Sequence, residues 1–458
     1  MPLLDPRDRR PLHFVGIAGA GMSGLAELFV RRGATVSGCD LHPEGAGDLQ
    51  RLGVPVVEGH APAHVDGARA VIVSSAVPRE HPELVRAREL GLPVVRRAEA
   101  LAEAVSGGAL VGVAGTHGKT STTVMTTEAL RAAGLEPTGV VGGRVAAWGG
   151  NLSFGGDRTF VVEADEYDRS FLALAPTVAT VTNVEADHLD IYRDLADIRA
   201  AFEEFAGRAR AVVRCADDEG ARTLRLPPTA DVYDYGVDAP AARVRAVDVR
   251  AADGGTRFTV AVDGQPAAEV ALRVPGLHNV RNALAALGAG LALGAAVEAL
   301  ARGVSAFAGV ERRFQRIGEA ADVLVVDDYA HHPTEIAATL AAARLAYPGR
   351  RLVAAFQPHL FSRTRDFSAE FGAALAAADL VFLTEIYPAR EQPIAGVTAA
   401  LVRDAVRAAG GEAVWLGARD ALAEQLAGAA RAGDVVLTLG AGDITRTGPE
   451  LLRRLAAA

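Results

Sequence analysis

Residues 111–123 read VGVAGTHGKTSTT. The apolar run Val111–Ala114 has strand composition, Gly-Thr-His-Gly-Lys-Thr follows as a turn, and a helix-like segment comes next. A phosphate-binding loop requires this order, because loop amides and a helix N-terminus then face one anion. The amides of Gly115, Thr116, His117, Gly118 and Ser121 would line the phosphates. Lys119 would neutralise their charge, and the Thr120 hydroxyl would reach Mg2+. The loop is irregular: the usual pattern has a glycine five residues before Gly118, and Val113 stands there.

Upstream, residues 16–24 read GIAGAGMSG, a second glycine turn between a strand and a helix. Gly19-Ala20-Gly21-Met22-Ser23-Gly24 fits G-x-G-x-x-G, a cradle for a nucleotide diphosphate, and Asp40 ends the next strand where it can accept from a ribose hydroxyl. Around this turn LHFVGI (12–17), TVSGCD (35–40), VPVVEG (54–59), ARAVIVSSA (68–76) and PVVRR (93–97) read as strands of a doubly wound sheet. The rhythm restarts at ALVGVAG (109–115), with FVVEAD and TVATVTN after it, and again at VLVVDD (323–328). Within the second unit, TRFTVAVDGQPAAEVALRV alternates around Asp263-Gly264 and predicts an antiparallel hairpin in a small sheet of its own.

The expected fold is therefore α/β with three domains, residues 1–106, 107–310 and 311–458, and linkers near Ser106–Gly108 and Gly309–Val310. The first is Rossmann-like, the second a phosphate-loop ATPase-type mixed sheet, and the third Rossmann-like α/β.

With 458 residues, 50% hydrophobic, 22% charged and a net charge of −9, the composition is that of a globular chain and argues against nucleic acid as a partner. Cys39 and Cys215 are far apart and have no metal-ligand spacing, as expected of thiols in a reducing cytoplasm. The longest apolar runs fall short of a membrane span, and the charged start MPLLDPRDRR is unlike a secretory leader.

Acidic groups follow two strands of the second unit. Glu163-Ala-Asp165-Glu166-Tyr167-Asp168 ends one, and Thr182-Asn183-Val184-Glu185-Ala186-Asp187-His188-Leu189-Asp190 ends the next. At the carboxyl edge of an open sheet these are candidate Mg2+ ligands beside the loop. His278, Asn279 and Asn282 follow Gly276 at a helix start, where they can share one surface or serve as caps.

Taken in order, GTHGKT, EADEYDRSF, TNVEADHLDIY, GLHNVRNALAA, GVERRF, DDYAHHPTEI and FQPHLFSRT resemble the Mur ligases of peptidoglycan synthesis over nearly the whole chain. The resemblance implies that the first cradle holds a UDP-sugar through Gly19, Ala20, Gly21, Met22 and Ser23, with Asp40, His60 and Ser74 at the uridine and ribose. It implies ATP on the second loop, the adenine near His278, Asn279 and Asn282, and Arg313, Asp328 and Tyr329 bordering the nucleotide. Two Mg2+ ions are implied, on Thr120, Glu163 and His188. His331, with His359 and Arg363, is implied to handle the amino acid and lactyl groups, while Leu360 stands where some relatives carry arginine.

His117 is typical of the alanine-adding branch, and Phe202 occupies the place where later ligases of the family have a modified lysine. The implied reaction joins L-alanine to the lactyl carboxylate of UDP-N-acetylmuramate through an acyl phosphate, in a cytoplasmic monomer or weak homodimer. Two other readings are a ligase that recycles whole peptides onto the same sugar and an NAD-dependent oxidoreductase using only the first glycine turn. Lys119, Glu163, His188 and His331 are the expected catalytic residues, and as a loop residue Lys119 is expected to matter little for folding.

Overall fold

The computed structural model describes residues 2–189, 191–252 and 254–457; the candidate ligand Asp190 lies outside them. The chain divides into two compact units, Met1–Val249 with Phe258–Val270 and Val280–Ala308, and Arg250–Arg257 with Ala271–Asn279 and Gly309–Ala458.

The first sheet contains β1 (Leu12–Val15), β2 (Val36–Asp40), β3 (Val56–Glu58), β4 (Ala70–Val73) and β5 (Val94–Arg96), in the order β3-β2-β1-β4-β5. Neighbours are parallel throughout. The order reverses at β1, so the crevice at its carboxyl end opens where the turn after β1 leads into the helix Ala20–Arg31.

The second sheet contains β6 (Ala109–Ala114), β7 (Thr138–Val145), β8 (Gly150–Ser153), β9 (Thr159–Glu163), β10 (Val178–Val181), β11 (Ala211–Cys215), β12 (Asp231–Gly236), β13 (Val244–Ala252), β14 (Gly255–Val262) and β15 (Gln265–Leu272). Its order is β15-β14-β13-β12-β11-β10-β6-β9-β7-β8. β6 lies between β9 and β10 and runs parallel to both, which brings GTHGKT, Glu163 and Thr182–Glu185 to one sheet edge. The hairpin turn at Asp263-Gly264 forms, with positive φ at both residues (49° and 77°). Its separate sheet does not: β13, β14 and β15 continue the central sheet, because β13 pairs with β12 and covers what would otherwise be an open edge.

The third sheet contains β16 (Gln315–Ala320), β17 (Val323–Asp328), β18 (Leu352–Phe356), β19 (Leu380–Thr384), β20 (Ala413–Gly417) and β21 (Val435–Leu439), in the order β16-β17-β21-β18-β19-β20. Alternate residues of its apolar strands enter opposite cores. Leu324, Val326, Ala354 and Phe356 face one side, and Val323, Val325, Val353 and Ala355 the other. This is why VLVV reads as a continuous apolar run: helices cover both faces of the strand. The polar, glycine-containing edge strand β16 is antiparallel and carries no such signal.

The helix Lys119–Ala132 after the phosphate loop buries Thr120, Ser121, Thr122, Thr123, Thr126 and Thr127. Its threonines return hydrogen bonds to the helix itself: Thr123, Thr126 and Thr127 hydroxyls donate to the carbonyls four residues back at 2.7–2.9 Å. A polar sequence can thus line a buried helix without orphaned hydroxyls at these positions.

Gly115 has φ of 142°, and a Cβ there would overlap the hydroxyl of Thr182 and crowd its backbone nitrogen. We expect Gly115→Ala to lower the unfolding free energy by about 1–3 kcal/mol, measured by urea denaturation, since both backbone strain and overlap must be relieved.

Candidate active site

The end of β10 staples the irregular loop. The Thr182 hydroxyl donates to the His117 carbonyl at 2.6 Å, the Asn183 side-chain oxygen accepts from the His117 amide at 2.8 Å, and the Thr116 hydroxyl accepts from the Glu185 amide at 2.9 Å. The His117 ring reaches Glu185 at 3.5 Å. These bonds hold the shortened loop that lacks the distant glycine. Gly118, with φ of 81°, begins the helix and lies so close to the Asn282 side-chain oxygen that a Cβ would be 2.6 Å from it.

Lys119 donates to the Gly115 carbonyl at 2.6 Å and the Thr116 carbonyl at 3.1 Å, and pairs with Glu166 at 2.9 Å. Their side chains are only 14% and 3% exposed, so the pair is largely removed from water. Burial works against the Lys119 charge, but Glu166, Asp165 and Glu163 outweigh it and raise the ammonium above its ordinary value. Burial pushes the Glu166 carboxyl up to about 7 against the pull of Lys119. Lys119 is therefore the buried first residue of a helix with a paired charge, and the expectation that folding is indifferent to it is corrected.

Glu163 accepts from the Thr120 hydroxyl at 2.8 Å and from the Gly142 amide at 2.7 Å. His188, with φ of 53°, presents Nε2 to Glu166 at 3.7 Å and to Asp187 at 3.8 Å, and packs edge-on against Tyr167. Thr120, Glu163, Glu166 and His188 thus gather around Lys119. Phe202 is fully buried against Phe171, which stacks on Phe205, so that position belongs to the core.

At the first glycine turn, the Met22 and Ser23 amides both return to the Gly19 carbonyl at 2.8 Å. Among the described residues, the Ala20 and Gly21 amides have no such partner and remain as donors at the helix start. The Met22 side chain is buried at 4% exposure and its amide is engaged. Asp40 accepts from the Ala18 amide at 2.9 Å and the His42 amide at 3.0 Å, bracing the turn. His60 directs Nδ1 to Cys39 Sγ at 3.3 Å, and Ser74 is half-buried after β4.

Two residues were not singled out from sequence. Glu166 sits inside the acidic cluster, where nothing in the composition separates it from Asp165 or Asp168. Arg97 reads as the end of a strand in PVVRR, but it begins the helix Arg97–Ala104. Its guanidinium lies 3.0 Å from where a Gly21 Cβ would stand and 3.9 Å from Asp165. Gly21, Arg97, Gly142, Glu163 and Asp165 line one narrow cleft.

In the other unit, Asp328 accepts from the Phe314 and Ala330 amides, both at 2.8 Å, and burial pushes its carboxyl up to about 6. The guanidinium of Arg313 lies 5.2 Å from the Tyr329 ring centre and 3.5 Å from Glu335. His331 approaches the Tyr329 carbonyl at 3.0 Å and Glu335 at 3.1 Å, and its ring meets that of His359 edge-on at 5.9 Å. Arg363 and Leu360 are buried, Leu360 with φ of 71°. Asn279 donates to the Pro275 carbonyl at 2.8 Å and His278 packs over Gly276, so both brace the helix start.

A sheet-edge phosphate loop with a lysine–carboxylate pair, beside a dinucleotide-type fold, defines an α/β nucleotide-dependent enzyme. Three family descriptions match the chain in turn: "Mur ligase family, catalytic domain" at residues 11–108, "Mur ligase middle domain" at 113–290 and "Mur ligase, glutamate ligase domain" at 312–442. The chain belongs to the Mur ligase family. It is 48% identical to the UDP-N-acetylmuramate–L-alanine ligase of Cutibacterium acnes, covering 98% of this chain and 97% of that one. It is also 48% identical to the enzyme of that name from Streptomyces coelicolor, covering 97% of each. Among solved structures, the UDP-N-acetylmuramate–alanine ligase of Thermotoga maritima matches with a TM-score of 0.82 at 30% identity, covering 98% of this chain and 99% of that one. A murein peptide ligase from Psychrobacter arcticus matches with a TM-score of 0.71 at 27% identity, over 98% and 99%.

Lys119→Met leaves Glu166 buried without its cation. We expect it to lose about 3 kcal/mol of stability above about pH 8. Glu166 holds its proton more tightly folded than unfolded, so its contribution falls as pH rises through its folded value. Lys119 pulls the Glu166 carboxyl down, so in the variant it titrates above about 7; the deficit should shrink as pH falls below that value, where the carboxyl is neutral with or without Lys119, and denaturation across pH measures it.

Proposed function

We infer that the chain is an ATP-dependent ligase that joins L-alanine to the lactyl carboxylate of UDP-N-acetylmuramate in peptidoglycan synthesis. The observation that carries this is the convergence of Lys119, Thr120, Glu163 and Glu166 at one sheet edge. Full-length relatives of that activity at 48% identity support the choice of substrates.

The lactyl carboxylate attacks the γ-phosphorus of ATP, ADP leaves, and an acyl phosphate forms. The neutral amine of alanine then attacks the acyl carbonyl and expels phosphate. Lys119 and the amides of Gly115, Thr116, His117, Gly118 and Ser121 neutralise the charge that spreads over the phosphoryl group. To do so, Lys119 exchanges its contacts with Gly115, Thr116 and Glu166 for phosphate oxygens. The Thr120 hydroxyl and Glu163 carboxylate, 2.8 Å apart, are hard oxygen donors suited to Mg2+, and His188 is the donor toward a second ion. Bound Mg2+ supplies further charge neutralisation.

The Ala20 and Gly21 amides, with Gly19 in the turn, take the UDP diphosphate, and Ser23, Asp40, His60 and Ser74 complete that site. Arg97 lies over Gly21 and faces Asp165, so it pairs with the substrate's anionic groups on the side nearest Glu163. His278, Asn279, Asn282, Arg313, Asp328 and Tyr329 serve ATP, and His331, His359 and Arg363 serve alanine and the lactyl group. The corresponding domains are residues 1–106, 107–310 and 311–458. No helix among the described residues is long and apolar enough to cross a membrane, and a cytoplasmic monomer or weak homodimer suits three small-molecule substrates.

Phosphate release with ATP, Mg2+ and UDP-N-acetylmuramate, varying only the amine, tests the assignment. L-alanine should support turnover, whereas a preference for a tripeptide would move the chain to the recycling branch. Glu163→Gln should cut turnover by on the order of 100-fold and shift the Mg2+ midpoint upward, as measured by ADP release. Arg97→Met should raise KM for the UDP-sugar by on the order of tenfold, the loss of one charge-assisted contact, with KM for ATP little changed.

A further inference from the structure

Beneath the sugar-nucleotide turn, five side chains converge on one buried carboxylate that the proposed reaction does not use. Glu83 is fully buried. Cys39 Sγ lies 3.1 and 3.2 Å from its two oxygens, His64 Nδ1 at 2.9 Å, His60 Nδ1 at 3.6 Å and His81 Nδ1 at 3.9 Å. Cys39 Sγ is also 3.3 Å from His60 Nδ1 and 3.5 Å from His13 Nε2. No lysine or arginine pairs with Glu83 among the described residues; its ionic partners are imidazoles. Burying a carboxylate without a fixed cation is costly.

We propose that Cys39, His13 and Glu83 form a zinc site, with His60, His64 and His81 around it. In tetrahedral zinc sites the bond lengths separate sulfur from nitrogen by about 3.5 Å, close to the two sulfur–nitrogen distances here. A thiol, an imidazole and a carboxylate are a donor set that zinc accepts, whereas Mg2+ takes oxygen ligands.

Two features beyond the cluster point to a cation. The other nitrogen of His13, Nδ1, is 3.1 Å from the Ser37 hydroxyl, an outer contact that orients Nε2 toward Cys39, as metal-bound histidines are oriented. His81 Nδ1 is sealed from water and has no hydrogen-bond partner among the described residues, although it faces Glu83. A buried nitrogen in that state calls for an ion or a water. On binding zinc, Cys39 releases its thiol proton to solvent and a sulfur–zinc bond forms.

The site lies directly under the turn, since the Cys39 carbonyl accepts from the Gly16 and Ile17 amides at 2.9 and 3.0 Å. Its occupancy therefore stiffens the strand end that carries Asp40. It involves no residue of the phosphate loop.

The full-length chain, stripped with a chelator, is titrated with Zn2+ against a chromophoric competitor and separately reconstituted with Co2+. We expect tight uptake of zinc and a thiolate-to-cobalt charge-transfer band in the near ultraviolet. Cys39→Ser should abolish the band and weaken zinc by on the order of 100-fold or more, beyond the loss typical of an outer contact. Cys215→Ser, which removes the chain's other cysteine, should keep both signals. A parent protein without the charge-transfer band, or a band that survives in Cys39→Ser, would overturn the proposal and leave the cluster as a hydrogen-bonded network. The parent spectrum decides even if Cys39→Ser fails to fold.

Discussion

The parallel pairing of β6 with both β9 and β10 is the constraint on which the phosphate-loop site depends. Strand ends in a parallel sheet point the same way, so three segments separated by tens of residues deliver their first loop residues to one edge. β6 brings the glycine turn, β9 brings Glu163 and Glu166, and β10 brings Thr182 and Asn183. The close approach of Gly115 to Thr182 follows from this pairing, as do the bonds that hold His117. A neighbouring strand end, and not a distant glycine, fixes the loop's path.

The same edge sets the electrostatics. Lys119 would be an expensive group to bury alone, and Glu166 would be no better. Together they form a pair that the low-dielectric edge strengthens, with Lys119 also satisfied by two carbonyls of its own loop. This keeps a cation poised at the place where phosphate charge must be met. Glu163 is occupied differently, by a hydroxyl and an amide. Arg97 carries positive charge from the first glycine turn toward the same edge. Gly21 and Arg97 at the first turn and Glu163 and Asp165 at the end of β9 thus line one cleft within the first unit.

Much of this was legible in the residues. The apolar runs marked the β-strands of the parallel cores because strands buried on both faces leave long Val/Ile/Leu signatures, as in VLVVDD. The glycine turn after β6 was legible because positive φ and close approach at Gly115 and Gly118 admit little else. β16 was not, since an edge strand need not be apolar, and the hairpin of β14 and β15 was placed in a sheet of its own because alternation reveals a hairpin but not which edge it joins.

The sequence by itself determined the three α/β repeats, both glycine turns and the residue types gathered in them, because local backbone demands and strand periodicity are written in consecutive residues. Only the tertiary structure decided which carboxylate pairs with Lys119, that Arg97 begins a helix over Gly21, that Met22 faces the core, and that His13, Cys39 and Glu83 meet. Those outcomes depend on strand order and on the direction of side chains from elements far apart in the chain. Spacing along a sequence carries no record of either until the sheet has closed around them.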